Sequence, residues 1–367
     1  MIIEKIKLKN YRNYDSLEIN LNEKLNVIIG KNAQGKTNLL ESIYVLSLTK
    51  SYLGVNDKNL IKLGNNYAIL EADAILNSGP KKFKLLIKDN GKQVIINGKE
   101  IKKLSDYVSN LKVIIFSPEN IRMIKEGPSI RRKFLNMECG QISKVYLSNL
   151  SSYNKVLAQK NQYLKTRQVD SLMIEVLNEQ LAEHASRIIL KREQFINTIE
   201  KHALKIHSDI SNGKEDLRVI YKPNIKYEHK DSEELEKEIL DLLMDNLEKE
   251  IERGTSLVGP HRDDIAFTIN DFDVQTYGSQ GQQRSTALSV KLAELELIKE
   301  EVGEYPVLLL DDVLSELDEV RQAHLLTSIR DRVQTFVTTT SISDINHAIM
   351  DDMQLYEIEN GRIKIEE

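Results

Sequence analysis

The sequence predicts an α/β fold, a mixed sheet organised around a phosphate-binding loop and split by an inserted, mostly helical lobe. Three observations carry that prediction. Gly30-Lys31-Asn32-Ala33-Gln34-Gly35-Lys36-Thr37 fits the pattern G-x-x-x-x-G-K-[ST]. It lies between a short apolar run, Leu25 to Ile29, and apolar residues at helical spacing, Leu39, Leu40, Ile43 and Leu46. A second apolar run, Val307-Leu308-Leu309-Leu310, ends in Asp311-Asp312. Between the two, from Ser129 to about Gly254, long helical periodicity with almost no strand signal interrupts the α/β pattern.

Composition bounds the function classes. With 367 residues the chain has room for roughly two or three domains and a sizeable core. Its formal net charge of -5 means that any polyanionic partner is met by a local patch and not by overall charge. A single cysteine, Cys139, permits no internal disulfide and fits a reducing compartment, where it reads as a packed side chain. The amino terminus lacks the apolar run of a signal peptide, and no stretch of about 18 apolar residues occurs. A cytoplasmic protein with no membrane partner is expected.

Taken in order, residues 2 to 8 and 16 to 21 alternate and predict two antiparallel strands feeding the P-loop strand. Strands follow at Ala68 to Ile75, Phe83 to Ile87 and Val94 to Ile96, separated by Asn-Ser-Gly-Pro and Asp-Asn-Gly turns. Lys112 to Phe116 is another, stopped by Ser117-Pro118. In the helical segment, Leu172, Val176, Leu177, Leu181, Ile188, Phe195 and Ile199 form one apolar stripe and predict helix-bundle core. Asp231 to Glu252 reads as a helix with ten acids against two lysines, a solvated face unsuited to DNA. The α/β pattern then returns with strands at Ile265 to Ile269 and Phe272 to Val274, a helix from Gln282 to Glu301 and a strand from Val307 to Leu310. A helix from Val320 to Ile329 and strands at Val333 to Thr338, Leu355 to Ile358 and Ile363 to Ile365 complete it. The expected division is 1–120 and 255–367 for the two parts of the nucleotide-binding lobe, with 121–254 as the inserted helical lobe.

The chemistry follows from the residue types. Glycines let a loop curl close to an anion so that successive N–H groups meet phosphate oxygens. Lys36 would reach the β- and γ-phosphates, and the Thr37 hydroxyl would ligate Mg²⁺ together with Asp311, delivered by its buried strand to the carboxyl edge of the sheet. Asp312 is the candidate to orient or deprotonate water. Ser279-Gln280-Gly281-Gln282, ahead of a predicted helix, combines a hydroxyl, a glycine amide and a helix N-terminus into a second anion site. Since one P-loop already binds the phosphates, this second site suggests service to another chain's nucleotide. Ser315-Glu316-Leu317-Asp318 reads as a helix cap.

At this point the chain resembles the ABC-type ATPases. Ser279-Gln280-Gly281-Gln282 is similar to the family's signature motif, and Ser315 to Asp318 to its D-loop. The resemblance implies an ABC-type P-loop ATPase head that forms an ATP-dependent homodimer, with Ser279, Gly281 and Gln282 of each copy capping the ATP of the other. Ile6 to Tyr14 and Gly30 to Asn38 resemble the recombination and SMC-like branch. Nucleotide contacts are accordingly expected from Gly30, Lys31, Asn32, Ala33, Gln34, Gly35, Lys36, Thr37 and Asn38, and catalytic roles from Lys36, Asp311, Asp312 and Ser279. Three departures are visible. Asp312 stands where the family usually has Glu, Glu119 where Gln is common, and Thr338-Thr339-Thr340 where many members carry a switch histidine. Thr339 or Thr340 can hydrogen-bond a γ-phosphate but cannot carry a proton to it, so turnover is expected to be slow.

Gly127 to Leu135 and Val258 to Asp264 resemble bacterial recombination mediators of that branch. The implied activity is a weak, DNA-stimulated ATPase that clamps duplex DNA and single-strand/duplex junctions without sequence specificity, working with RecO and RecR to place RecA at gaps. Independently, Lys81 to Lys133 holds fourteen basic residues against five acidic ones. Phosphate contacts are expected there, from Lys81, Lys82, Lys84, Arg131, Arg132 and Lys133. The competing structural reading pairs Arg131 and Arg132 with acids inside the helical lobe. His261 and Arg262 suit equally a role in fixing the chain's return to the nucleotide lobe and one near the nucleotide or the dimer interface. The rival class is a transporter-type ATPase driving a membrane partner.

Overall fold

Alternating residues at the amino terminus form β1 (Ile2–Tyr11) and β2 (Tyr14–Asn20), an antiparallel hairpin that buries Ile6, Leu8 and Ile19. The continuous apolar run that follows is β3 (Leu25–Ile29), and the P-loop leads into α1 (Lys36–Leu48), which is buried on almost all sides. Next come β4 (Tyr67–Leu76), β5 (Gly79–Lys88), β6 (Gly91–Ile96), β7 (Lys99–Ile101), α2 (Leu104–Val108) and β8 (Val113–Phe116). The helical part opens with α3 (Arg122–Lys125), α4 (Pro128–Ile142), α5 (Lys144–Leu164) and α6 (Ser171–Ser211). It continues through β9 (Leu217–Lys222), α7 (Ser232–Asp245), α8 (Leu247–Arg253), β10 (Asp264–Ile269), β11 (Phe272–Asp273), α9 (Val274–Tyr277) and α10 (Gln280–Val302). The chain closes with β12 (Val307–Asp311), α11 (Glu319–Ile329), β13 (Thr335–Thr339), β14 (Met353–Glu359) and β15 (Arg362–Glu366). This computed structural model describes residues 1–166, 170–228, 231–340 and 353–366.

Two units result, one made of Met1–Ile121 with Ala287–Glu367 and the other of Arg122–Thr286. The first holds two six-stranded sheets. One is antiparallel, in the order β2-β1-β4-β5-β6-β7. The other, in the order β15-β14-β3-β13-β12-β8, is parallel except for β15 and is therefore mixed as expected. The two amino-terminal strands do not feed β3 within one sheet, which corrects the sequence reading; β1 pairs with β4, and β2 lies at the edge beside β1. Each needs a neighbour for only one apolar face, whereas β3, β12 and β8 are buried along nearly their whole length, as strands of a doubly covered parallel sheet are.

The second unit contains a strand the periodicity missed. β9 pairs with β10, and β10 with β11, in a three-stranded antiparallel sheet. That pairing keeps residues 255–286, expected in the nucleotide lobe, inside the helical unit. The long stripe is helix α6, capped by Asp170, whose side chain accepts from the Met173 amide, and ended by Asn212 in left-handed conformation. Leu181, Ile188, Phe195 and Ile199 are buried as predicted, each contributing about 2 kcal/mol by removal from water. Leu172 and Val176, at the start of the stripe, are exposed instead. The acidic helix breaks at Asn246 into α7 and α8. Burial pushes the Cys139 thiol up to about 12, which makes it an inert packed side chain.

Candidate nucleotide site

The parallel registers bring the site's chemistry to one sheet edge. Ile29, the last residue of β3, pairs with Thr339, and Thr338 pairs with Asp311 at the end of β12. The P-loop therefore leaves the sheet one strand away from the acidic pair, at the carboxyl edge where open α/β sheets bind ligands. Gly30, at φ 156°, has no room for a side chain, because a Cβ would lie 2.5 Å from the carbonyl oxygen of Ile358. Gly35, at φ 118°, would set a Cβ 2.5 Å from Asn13 Nδ2. Gly30 is thus required by close backbone packing on the loop's outer side, and Gly35 by its positive φ.

That outer side is built from residues to which the sequence assigned no role. Asn13 Nδ2 donates to the Gln34 carbonyl at 3.0 Å, Asn13 Oδ1 accepts from Asn38 Nδ2 at 2.9 Å, and the Tyr14 hydroxyl donates to the Gly35 carbonyl at 3.0 Å. From the β14–β15 turn, the Gly361 amide donates to the Gln34 carbonyl and the Asn360 amide to Gln34 Oε1, at 3.2 and 2.6 Å. The β1–β2 corner is in turn fixed to α1. Arg12 forks the buried Glu41 carboxylate with two bonds of 2.7 Å, and the Tyr11 hydroxyl adds a third at 2.9 Å. The motif Asn10-Tyr11-Arg12-Asn13-Tyr14 is a brace for the P-loop; its polar residues beside aromatic ones were the available signal.

Lys36 is 9% exposed and folds back on its own loop, donating to the carbonyls of Gly30 and Lys31 at 2.6 and 3.1 Å. Burial lowers the pKa of its ammonium, while Asp312 and Asp311 act to raise it. Thr37 donates to Asp311 Oδ1 at 3.0 Å, so the two residues assigned to a metal do meet. The same oxygen accepts from Thr338 at 2.9 Å, and Asp311 Oδ2 accepts from the Tyr52 hydroxyl at 2.7 Å. A hydroxyl and a carboxylate beside an anion-binding loop are hard oxygen donors that suit Mg²⁺ held jointly with phosphates. Asp312 takes left-handed backbone geometry, φ 53°, with its amide bonded to Thr338 Oγ1 and its carbonyl accepting from Ser315. Thr339 is buried in β13, Thr340 is exposed just beyond it, and Glu119 is exposed after β8. Thr338 touches both members of the acidic pair, donating to Asp311 Oδ1 and accepting from the Asp312 amide.

The signature-like residues Ser279, Gly281 and Gln282 lie in the second unit. Ser279 caps α10: its hydroxyl accepts from the Gln282 amide at 3.2 Å, and Gln282 Oε1 accepts from the Ser279 amide at 2.9 Å, a reciprocal capping box. Ser279 is exposed, and Gln282 also donates to Glu215 at 3.0 Å. Asp318 caps α11 in the first unit, accepting from the Arg321 amide at 2.9 Å.

The basic set is divided between the units. Lys82 is exposed on β5 and lies 3.8 Å from Asp73; Lys84 pairs with Glu71 at 2.7 Å, and Lys81 bonds Asn110 at 2.9 Å. Lys133 is exposed on α4. Arg131 is corrected from the phosphate-binding set: it is 4% exposed and clamps Asp264 through two bonds of 2.6 and 3.0 Å. A buried guanidinium so engaged has no donor to offer a backbone. Arg132 is half-buried and donates to the Asp263 carbonyl at 2.9 Å. Around it, buried Arg192 joins Asp263, the Pro260 carbonyl, Asn136 and Tyr146. His261 accepts from the Tyr153 hydroxyl at 2.6 Å through Nδ1 and donates to the Ser256 carbonyl through Nε2. Arg262 also donates to the Ser256 carbonyl, and for His261 and Arg262 these bonds support the reading that fixes the chain's path.

Fold and site together define an ABC-type P-loop ATPase head. Residues 2–364 match the family model described as RecF/RecN/SMC N terminal domain. The DNA replication and repair protein RecF of Staphylococcus carnosus (strain TM300) is 52% identical, over 99% of this chain and 100% of its own length. The protein of that name from Staphylococcus aureus (strain JH9) is 50% identical over the same shares. A solved structure of the recombination mediator protein RecF with ATP, from the RecFOR pathway, is 35% identical. It covers 100% of this chain and 98% of its own, with a TM-score of 0.92. An SMC head bound to the C-winged helix domain of ScpA, 14% identical over 100% of this chain and 98% of its own, shares the fold alone, with a TM-score of 0.56. The chain belongs to the RecF/RecN/SMC N-terminal domain family and, within it, to the RecF proteins.

Proposed function

We propose that this chain is a cytoplasmic, ATP-dependent DNA-binding protein of recombinational repair and replication. The observation that carries the reading is the junction of Thr37 with Asp311 at 3.0 Å, inside a chain 52% identical over its full length to a DNA replication and repair protein. In this reading the P-loop, Gly30 to Asn38, holds the phosphates of ATP, and Lys36 leaves the carbonyls of Gly30 and Lys31 to reach the β- and γ-oxygens. Thr37 and Asp311 hold Mg²⁺, which when bound neutralises charge on the β- and γ-phosphates. Asp312 orients or deprotonates the attacking water, and Thr339 lies at the neighbouring strand end. Ser279, Gly281 and Gln282 cap the nucleotide of a second copy, so that ATP makes a homodimer and slow, DNA-stimulated hydrolysis releases it.

The dimer clamps duplex DNA at single-strand gap junctions through its backbone, and the chain works with RecO and RecR to load RecA. Lys81, Lys82, Lys84 and Lys133 supply phosphate contacts in this reading. The test is light scattering and duplex titration on the purified chain, with and without Mg²⁺·ATP, for the parent and for Ser279→Arg. ATP should produce dimers of the parent and tighten its DNA binding, and Ser279→Arg should bind nucleotide normally yet stay monomeric. A variant that still dimerises removes the capping role, and equal DNA affinity in both nucleotide conditions removes ATP control.

A further inference from the structure

The segment after α1 presents a hydroxyl to the acidic strand. Thr49, at φ 58°, ends α1 in left-handed geometry and redirects the chain. Ser51 then turns inward, donating to Glu41 at 2.5 Å, and half-buried Tyr52 turns to Asp311. Lys92 of β6 holds the segment at both ends, donating to the Thr49 carbonyl and pairing with Asp57 at 2.6 Å. The Tyr44 ring meets that of Tyr52 edge-on, with centroids 5.4 Å apart, which fixes the plane in which the phenol approaches.

The consequence lies in how the carboxylate is shared. Oδ2 of Asp311 is committed to Tyr52, and Oδ1 is the oxygen that Thr37 and Thr338 address. We infer that Tyr52 is a positioning residue for the metal site, setting which carboxylate oxygen of Asp311 faces the divalent cation beside Thr37. The inference rests on the nucleotide-site reading above. Hydrogen-bonded partners behind a ligating carboxylate orient it, and their loss typically lowers metal affinity by about 10- to 100-fold.

Tyr52→Phe in the full chain removes the donor and keeps the ring. Two binding constants decide the matter: that of Mn²⁺ in the presence of ATP, by electron paramagnetic resonance, and that of a fluorescent ATP analogue in EDTA. The Mn²⁺ dissociation constant should rise about tenfold while nucleotide binding in EDTA is unchanged. An unchanged Mn²⁺ constant overturns the inference, and so does an equal loss with and without metal, which would mark a purely structural hydroxyl. A silent Phe variant beside a weakened Tyr52→Ala would overturn it too, by assigning the effect to ring packing. Absence of ATP-dependent Mn²⁺ binding in the parental chain would instead sink the nucleotide-site reading and this inference with it.

Discussion

Thr37 and Asp311, 274 positions apart in the chain, share a hydrogen bond of 3.0 Å. Thr37→Val removes the hydroxyl at constant shape, and Asp311→Asn removes the charge. Either should abolish the increment in ATP affinity that Mg²⁺ confers, at least about tenfold, and leave binding in EDTA nearly intact. Calorimetric titration with and without Mg²⁺ checks this. A Mg²⁺ increment surviving in both variants would place the cation elsewhere.

Asp312 occupies left-handed backbone space that asparagine also tolerates, so Asp312→Asn tests chemistry without straining the turn. Loss of a positioned base should slow phosphate release by about 10²-fold or more while ATP still binds, and long-lived dimers should accumulate. Parental rates of release would shift the role to another group.

The two halves of the basic stretch should behave differently. Removing Lys82 and Lys84 together should flatten the dependence of log DNA affinity on log salt by up to ~2, across unrelated sequences alike. Arg131→Met should leave that slope unchanged and lower stability instead, by roughly 2–3 kcal/mol, because it strands the partly exposed Asp264 without its partner. Salt-series titrations and denaturant melts of the two variants measure both quantities.

His261 is pushed down to about 4 by burial, with Arg262 and Arg132 acting in the same direction. Its folded pKa lies below the ordinary value near 6.5, so between these limits the unfolded chain binds the proton more readily. Stability is therefore complete above pH 6.5 and is lost as pH falls towards 4, by up to about 3 kcal/mol from this residue. In urea melts from pH 7 to 4.5, His261→Gln should show a shallower acid loss than the parent. Parallel pH profiles would assign the acid sensitivity to other groups.

Periodicity and motif carried most elements of the first unit, because its antiparallel strands alternate, its parallel strands are continuous apolar runs, and both are punctuated by Gly, Pro and Asn. β9 escaped notice since its six residues, Leu217 to Lys222, alternate only weakly within a long helical stretch. The place where the helical unit ends was equally hidden, being decided by the pairing of β9 with β10 and by no local signal. At the site, Lys36, Thr37 and Asp311 were legible through spacing. Tyr52, Thr338 and Asn13 were not, because each acts through a partner distant in sequence, and a hydroxyl or amide in a loop has many local uses. Arg131 misled for the opposite reason: charge is visible in a sequence, whereas the carboxylate that consumes it is 133 positions away.

Among the described residues, strand β3, which leads into the P-loop, is hydrogen-bonded within its sheet to β13 on one side and β14 on the other. During synthesis the loop and its strand precede both neighbours by the whole second unit, and precede likewise the turn whose Asn360 and Gly361 grip Gln34. A nascent chain therefore carries the whole phosphate-binding motif, with neither edge of β3 paired, until the second unit has been made. Pairings of such long range also close slowly after release. The shape of the phosphate-binding loop is thus set by strands and a turn that the chain reaches only after the whole second unit has been laid down, and a fragment ending before β13 would hold every residue of the motif without the neighbours that shape it.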